Sequence, residues 1–133
     1  MDMTTAQKLQ MYITAELGDA ALYRELANIA TDEDEHQLLL EFAEDEQAHA
    51  EEFQRIYRIM TGRGYHPFIP QPVLKGTYRE ILRDRVLDES GDFRKYGQQY
   101  IQTEKNDMLK NAYYRARTDE NVHALRLLYM LTK

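Results

Sequence analysis

The chain has 133 residues, a formal net charge of −6 and no cysteine. That length suffices for one hydrophobic core and is short for two. The acidic balance argues against a nucleic-acid partner, which needs a basic face. Without cysteine there is no disulfide and no thiolate-held metal within these residues. Apolar residues at 43% and charged residues at 30% mark a folded chain rather than a disordered one. No apolar run approaches the roughly 18 residues of a membrane span, and "MDMTTAQKLQ" lacks an apolar signal region. A soluble, cytoplasmic protein without a membrane partner is the expectation.

Taken in chain order, the pattern predicts four helices. The first covers about 4–30 and ends at "ATDEDE", where Thr31 or Asp32 can cap the second helix, about 33–61. "TGRGYHPFIPQP", Thr61 to Pro72, collects all three prolines and breaks the chain in two. The third helix is expected over about 75–103 and the fourth over about 106–131, separated by "TEKND". The expected fold is all-α: a single domain over 1–133, a four-helix bundle of two helical hairpins, about 4–61 and 75–131, joined by a crossover linker of about 62–74.

Spacing of alternately three and four residues defines the core-facing seam of each helix. The seams read Leu9, Ile13, Glu16, Ala20, Tyr23, Ala27; then Leu39, Phe42, Glu46, His49, Phe53, Ile56, Met60. The second pair reads Leu82, Val86, Glu89, Phe93, Tyr96, Tyr100; then Leu109, Tyr113, Ala116, Glu120, His123, Leu127, Met130. Each apolar seam is interrupted at mid-length by ionisable groups: Glu16, Glu46 with His49, Glu89, and Glu120 with His123. The halves repeat one another. "ELGDAALY" from Glu16 parallels "ESGDFRKY" from Glu89, an offset of 73, and "DEQAHA" parallels "DENVHA", an offset of 74. The midpoints Glu16/Glu46 and Glu89/Glu120 both fall in the hairpin turns. The four glutamates therefore share one height, about 22 Å from the turns at ~1.5 Å rise per residue.

An ionised carboxylate left dry and unpaired costs several kcal/mol or more, and the seams carry no lysine or arginine beside these four. Two divalent ions balance four carboxylates, and two neutral imidazoles complete the ligand set. Glu-x-x-His places both side chains on one helix face, one turn apart. One glutamate from each of two helices plus Glu-x-x-His from each of the other two is the ligand pattern of di-iron and di-manganese bundles. The alternative reading of the six residues is a protonated or salt-bridged polar layer.

With "LANIATDEDE" followed by "FAEDEQAHAEEFQRIYRIMTG", the chain resembles the rubrerythrin branch of the ferritin-like superfamily over essentially its whole length. The resemblance implies a carboxylate-bridged centre of two iron ions held by Glu16, Glu46, His49, Glu89, Glu120 and His123. It also implies reaction with hydrogen peroxide or dioxygen. Rubrerythrins proper carry a cysteine-ligated iron domain; this chain has no cysteine, so electrons are expected from an external donor such as a rubredoxin-like protein. Their third helix often adds a glutamate one turn beyond the ligand. Asp92 stands there, mirrored by Asp19, and is a further candidate ligand. Asp45 and Asp119 are candidates to receive the second imidazole N–H of each histidine. Tyr23 and Tyr96 are candidates for hydrogen bonding to ligand carboxylates, for redox activity or for core packing. Gly18 and Gly91 offer room for close helix approach or a small oxidant, while His36 and His66 read as surface residues.

The leading expectation is a di-iron oxidoreductase that reduces hydrogen peroxide. A ferroxidase or iron-binding module is the second reading, and a di-manganese, catalase-like enzyme (or a mixed iron–manganese site) the third. The linker is just long enough to cross the bundle, which leaves hairpin exchange open and makes a homodimer an expected state.

Overall fold

A computed structural model describes residues 2–133. Four helices account for most of it: α1, Thr5–Ile29; α2, Glu33–Thr61; α3, Tyr78–Gln102; and α4, Asp107–Leu131. α1 packs on α2, α3 on α4, and the two hairpins meet through α2 and α4. This is the expected all-α four-helix bundle. Among the described residues no helix is long and apolar enough to cross a membrane.

Local chemistry sets the helix ends. Thr4 and Gln7 form a reciprocal capping box at α1. Asp32, rather than Thr31, accepts the Glu35 amide at 2.9 Å and starts α2, with three acidic residues in the first turn facing the positive helix end. α2 closes on Gly62, whose φ of 76° lies in the left-handed region that glycine tolerates best. α3 begins three residues later than expected. Gly76 at φ 97° turns the chain, and Thr77 accepts the Glu80 amide at 3.2 Å, so residues 75–77 belong to the linker. His36, expected on the surface, is half-buried, and its Nδ1 lies 2.7 Å from the Ala27 carbonyl oxygen. The imidazole thus satisfies a free carbonyl near the end of α1 and ties it to α2. His36→Ala is expected to lower stability by about 1 kcal/mol in urea denaturation, with metal stoichiometry unchanged.

The core falls into two apolar clusters. One gathers Leu9, Tyr12, Ile13, Phe53, Ile56, Tyr96, Leu109 and Tyr113; the other gathers Tyr23, Leu26, Leu39, Phe42, Leu82, Leu127 and Met130. Both the start of α2 and the start of α3 lie in the second cluster, so these helices run parallel and the linker travels the bundle's length. It is pinned on the way. Tyr65 packs its ring at a tilt against Tyr57 and its hydroxyl meets Thr14 at 3.1 Å; Gln71 donates to Glu25 at 3.0 Å; Leu74 packs on the second cluster. Added Cβ atoms at Gly18 and Gly91 would meet nothing within 4 Å, so helix packing does not require glycine at either position. Between the two apolar clusters lies a polar layer.

Candidate metal centre

Each half of that layer is built by helical spacing. Glu46 and His49 project from α2 one turn apart, as Glu120 and His123 do from α4, while α1 and α3 contribute Glu16 and Glu89. The four glutamates are fully buried, and the histidines nearly so. Glu16, Glu46, His49 and Glu120 bring one ligand atom each within 4.8 Å of one another; so do Glu46, Glu89, Glu120 and His123. Glu46 and Glu120 belong to both groups. Glu16 and Glu89 lie at opposite ends.

The imidazoles are oriented from outside. His49 Nε2 lies 2.6 Å from Asp119, and His123 Nε2 lies 2.8 Å from Asp45. Both bonds cross between hairpins, so each histidine is aimed by the carboxylate preceding the other hairpin's Glu-x-x-His glutamate. With Nε2 engaged, both Nδ1 atoms face the centre. His49 Nδ1 is 2.7 Å from Glu16, 3.4 Å from Glu46 and 3.8 Å from Glu120. His123 Nδ1 is 3.5 Å from Glu46, 3.6 Å from Glu89 and 3.5 Å from Glu120.

The layer does not satisfy itself. Glu16 Oε2, both oxygens of Glu46, Glu89 Oε2, both oxygens of Glu120 and His123 Nδ1 are buried without a hydrogen-bond partner. Buried polar atoms are rarely left so, and here the orphans are the inward-facing atoms of one carboxylate–imidazole cluster. The donor set fits two divalent cations: oxygen and imidazole ligands in numbers that suit iron or manganese. Electrostatics gives the same picture. Burial pushes the Glu16 carboxyl up to about 7 despite the lowering effect of His49. Burial, reinforced by Glu16, does the same to Glu46, and burial with the surrounding glutamates lifts Glu120 well above the carboxylate range. Burial alone would depress both histidines. Asp119, Glu16 and Glu46 instead raise His49 well above its ordinary value, and Asp45, Glu89 and Glu46 raise His123 to about 9.

One expectation is overturned. The glutamates do have an arginine beside them: Arg85, itself buried, with Nη2 3.3 Å from Glu89 and 3.1 Å from Asp19 and Nη1 3.1 Å from Asp88. Arg85 lies four residues before Glu89 on the same helix face, but outside the strict seam through Leu82 and Val86. Ile81 and Arg85 are buried, whereas Val86 and Phe93 are only half-buried, because the inward face of α3 is rotated from that seam. Burial would raise Glu89, but His123 first, then Arg85 and Tyr23, outweigh it and hold its carboxyl below the ordinary value.

The tyrosines differ. Tyr23 donates to Glu89 Oε1 at 2.5 Å, whereas the buried Tyr96 hydroxyl has no partner and its ring packs among Tyr12, Phe53 and Tyr113. Asp92 pairs with Lys95 at 3.1 Å. With Asp19, Glu16 and Glu120 it forms a third acidic group, partly open to solvent through the two aspartates.

The chain is an all-α bundle of two hairpins around buried carboxylates and histidines, with a donor set suited to two metals. The rubrerythrin family model matches residues 8–72, the first hairpin and most of the linker. Over those residues the chain is rubrerythrin-like. No curated protein and no solved structure matches it.

Proposed function

We propose that the protein holds two iron ions in this layer and reduces hydrogen peroxide to water with electrons from an external donor. Glu16, Glu46, His49 and Glu120 would hold one ion and Glu46, Glu89, Glu120 and His123 the other. One observation carries the reading: the orphaned carboxylate oxygens and imidazole nitrogen all converge on the same buried layer. Two divalent cations would satisfy them and cancel four negative charges.

When bound, iron supplies reducing electrons and a Lewis acid for O–O cleavage. The chain supplies the rest. Reduction of H2O2 to two waters consumes two electrons and two protons. Asp19 and Asp92, partly exposed and adjacent to Glu16 and Glu120, form the route by which protons reach the layer from solvent. Tyr23 holds a proton on Glu89 Oε1. Asp119 and Asp45 keep the imidazoles directed inward, so both Nδ1 lone pairs are available once protons leave them. The apolar clusters on either side exclude bulk water.

The test is peroxide consumption by iron-loaded protein with a reduced donor, alongside elemental analysis. Close to two iron ions per chain and donor-dependent turnover are expected. Glu46→Ala should lower turnover by a factor on the order of 10² or more, since Glu46 would serve both positions. Undiminished turnover in that variant overturns the assignment. Peroxide disproportionation without a donor, in manganese-loaded protein, would instead establish the catalase-like reading, because the same donor set serves manganese.

A further inference from the structure

The two hairpins are related by an offset of 73 residues along α1 and α3. Glu16 corresponds to Glu89, Asp19 to Asp92 and Tyr23 to Tyr96. Arg85 breaks the pattern, because its counterpart is Tyr12, an uncharged ring packed against Phe53, Tyr96 and Tyr113. The consequence falls on one oxygen. Glu89 Oε1 accepts from the Tyr23 hydroxyl at 2.5 Å and from Arg85 Nη2 at 3.3 Å, and Arg85 Nε donates to the same hydroxyl at 3.1 Å. Three groups thus lock into a buried triangle, leaving only Glu89 Oε2 facing the layer.

Nothing equivalent restrains Glu16. Tyr96, the counterpart of Tyr23, keeps its hydroxyl unpaired. Lys95, a cation near that side, pairs with Asp92 and lies 5.0 and 4.6 Å from the ring centroids of Tyr12 and Tyr96. It touches no ligand glutamate. Glu16 Oε1 is held by His49 Nδ1, the atom that must turn to a metal when one binds. Both oxygens of Glu16 are then available, against one oxygen of Glu89.

We infer that the two metal positions are unequal: Arg85 and Tyr23 withhold Glu89 Oε1, so the position of Glu16 and His49 binds its ion first and more tightly than that of Glu89 and His123. This rests on the metal reading above. Arg85 acts through Glu89 and is a positioning residue. A guanidinium in contact with a ligand carboxylate also opposes the approach of a second cation. Arg85 further contacts Asp19 and Asp88, but neither aspartate contacts Glu89 Oε1, so the bonds on that oxygen set the difference.

The test is anaerobic titration of the metal-free protein with Co²⁺, followed by the visible absorption of the bound ion. Two steps are expected, with dissociation constants about tenfold or more apart, since each ~1.4 kcal/mol of unequal binding gives a factor of ten. His123→Ala should remove the weaker step and His49→Ala the tighter one. Tyr23→Phe, which deletes a single hydroxyl, should tighten the second step and narrow the gap, as should Arg85→Gln if it folds; Arg85→Lys should restore part of the gap. Two ions binding with equal affinity in the unaltered protein would overturn the inference and leave the metal reading standing. An unchanged gap in Tyr23→Phe would also overturn it. Failure to bind Co²⁺ at all would remove the metal reading itself.

Discussion

The metal-free protein should melt at least roughly 10 °C lower at pH 8 than at pH 5, and two equivalents of a divalent metal should abolish that loss. Burial sets the sign. Glu16 and Glu46 have folded-state values raised to about 7 from an ordinary ~4.5 in the unfolded chain. A raised acid contributes stability fully below its unfolded value and loses it as pH rises through the folded one. The window is therefore about pH 4.5 to 7, with a cost on the order of 3 kcal/mol for each glutamate by linkage. Glu120, lifted further, extends the loss to higher pH. His123, raised to about 9, adds in the same direction: its contribution is present below about 6.5 and fades as pH climbs through 9. Glu89, a lowered acid, loses its contribution only as pH falls below its unfolded value toward the folded one, outside the range from pH 5 to pH 8. The three raised glutamates therefore set the sign between pH 5 and pH 8. The glutamates share protons, so their costs do not sum in full, but their direction is common.

Metal inverts this dependence. Binding requires ionised carboxylates and neutral imidazoles, so affinity rises with pH while the metal-free fold weakens. Thermal melts at pH 5, 6, 7 and 8, with chelator and with two equivalents of Zn²⁺ or Mn²⁺, separate the two curves. A redox-inert ion is sufficient, since stabilisation depends on charge and ligation. Parallel curves, with or without metal, would show that the layer is a self-sufficient polar network.

The bundle was legible in the sequence because two periodicities agreed. Seams spaced three and four residues apart located four helices, and the hairpin repeat set their pairing. α2 was bounded correctly at both ends, since Asp32 and Gly62 are strong cap signals. The start of α3 was placed early because Lys75 and Gly76 resemble helix entry until the turn at Gly76, φ 97°, is known. The glutamates and histidines were visible as charges in apolar seams. Arg85 was not, since α3 is rotated enough that its inward face runs through Ile81, Leu82, Arg85 and Glu89. Its signal in the sequence is its place four residues before Glu89, one turn away on the same helix face. His36 was misjudged for a related reason. Its partner is the Ala27 backbone carbonyl, and a carbonyl left free near a helix end carries no side-chain signal. Nor could sequence fix the exchange of partners, His49 with Asp119 and His123 with Asp45, which depends on how α2 meets α4.

Glu120→Gln should make the metal-free protein more stable while crippling its response to metal. Glu120 is fully buried, and both its carboxylate oxygens lack partners. Burial and the neighbouring glutamates drive it to the protonated state. At pH 8 the unfolded chain holds this residue ionised, so folding must take up a proton. Glutamine has nearly the shape of the protonated acid without that cost, so the variant should be more stable than the unaltered protein at pH 8, with the gain shrinking toward zero near pH 5. In the presence of metal the sign reverses. The amide offers one neutral carbonyl oxygen where a bridging carboxylate would bind both ions, so the metal-induced rise in melting temperature should fall by more than half. Opposite effects from one isosteric change are hard to obtain from a residue that only fills space or carries a structural hydrogen bond. A polar layer held by its own hydrogen bonds would instead lose stability on this substitution, at every pH and whether or not metal is added. Urea denaturation of Glu120→Gln at pH 5 and pH 8, each with and without Zn²⁺, distinguishes these cases in four measurements.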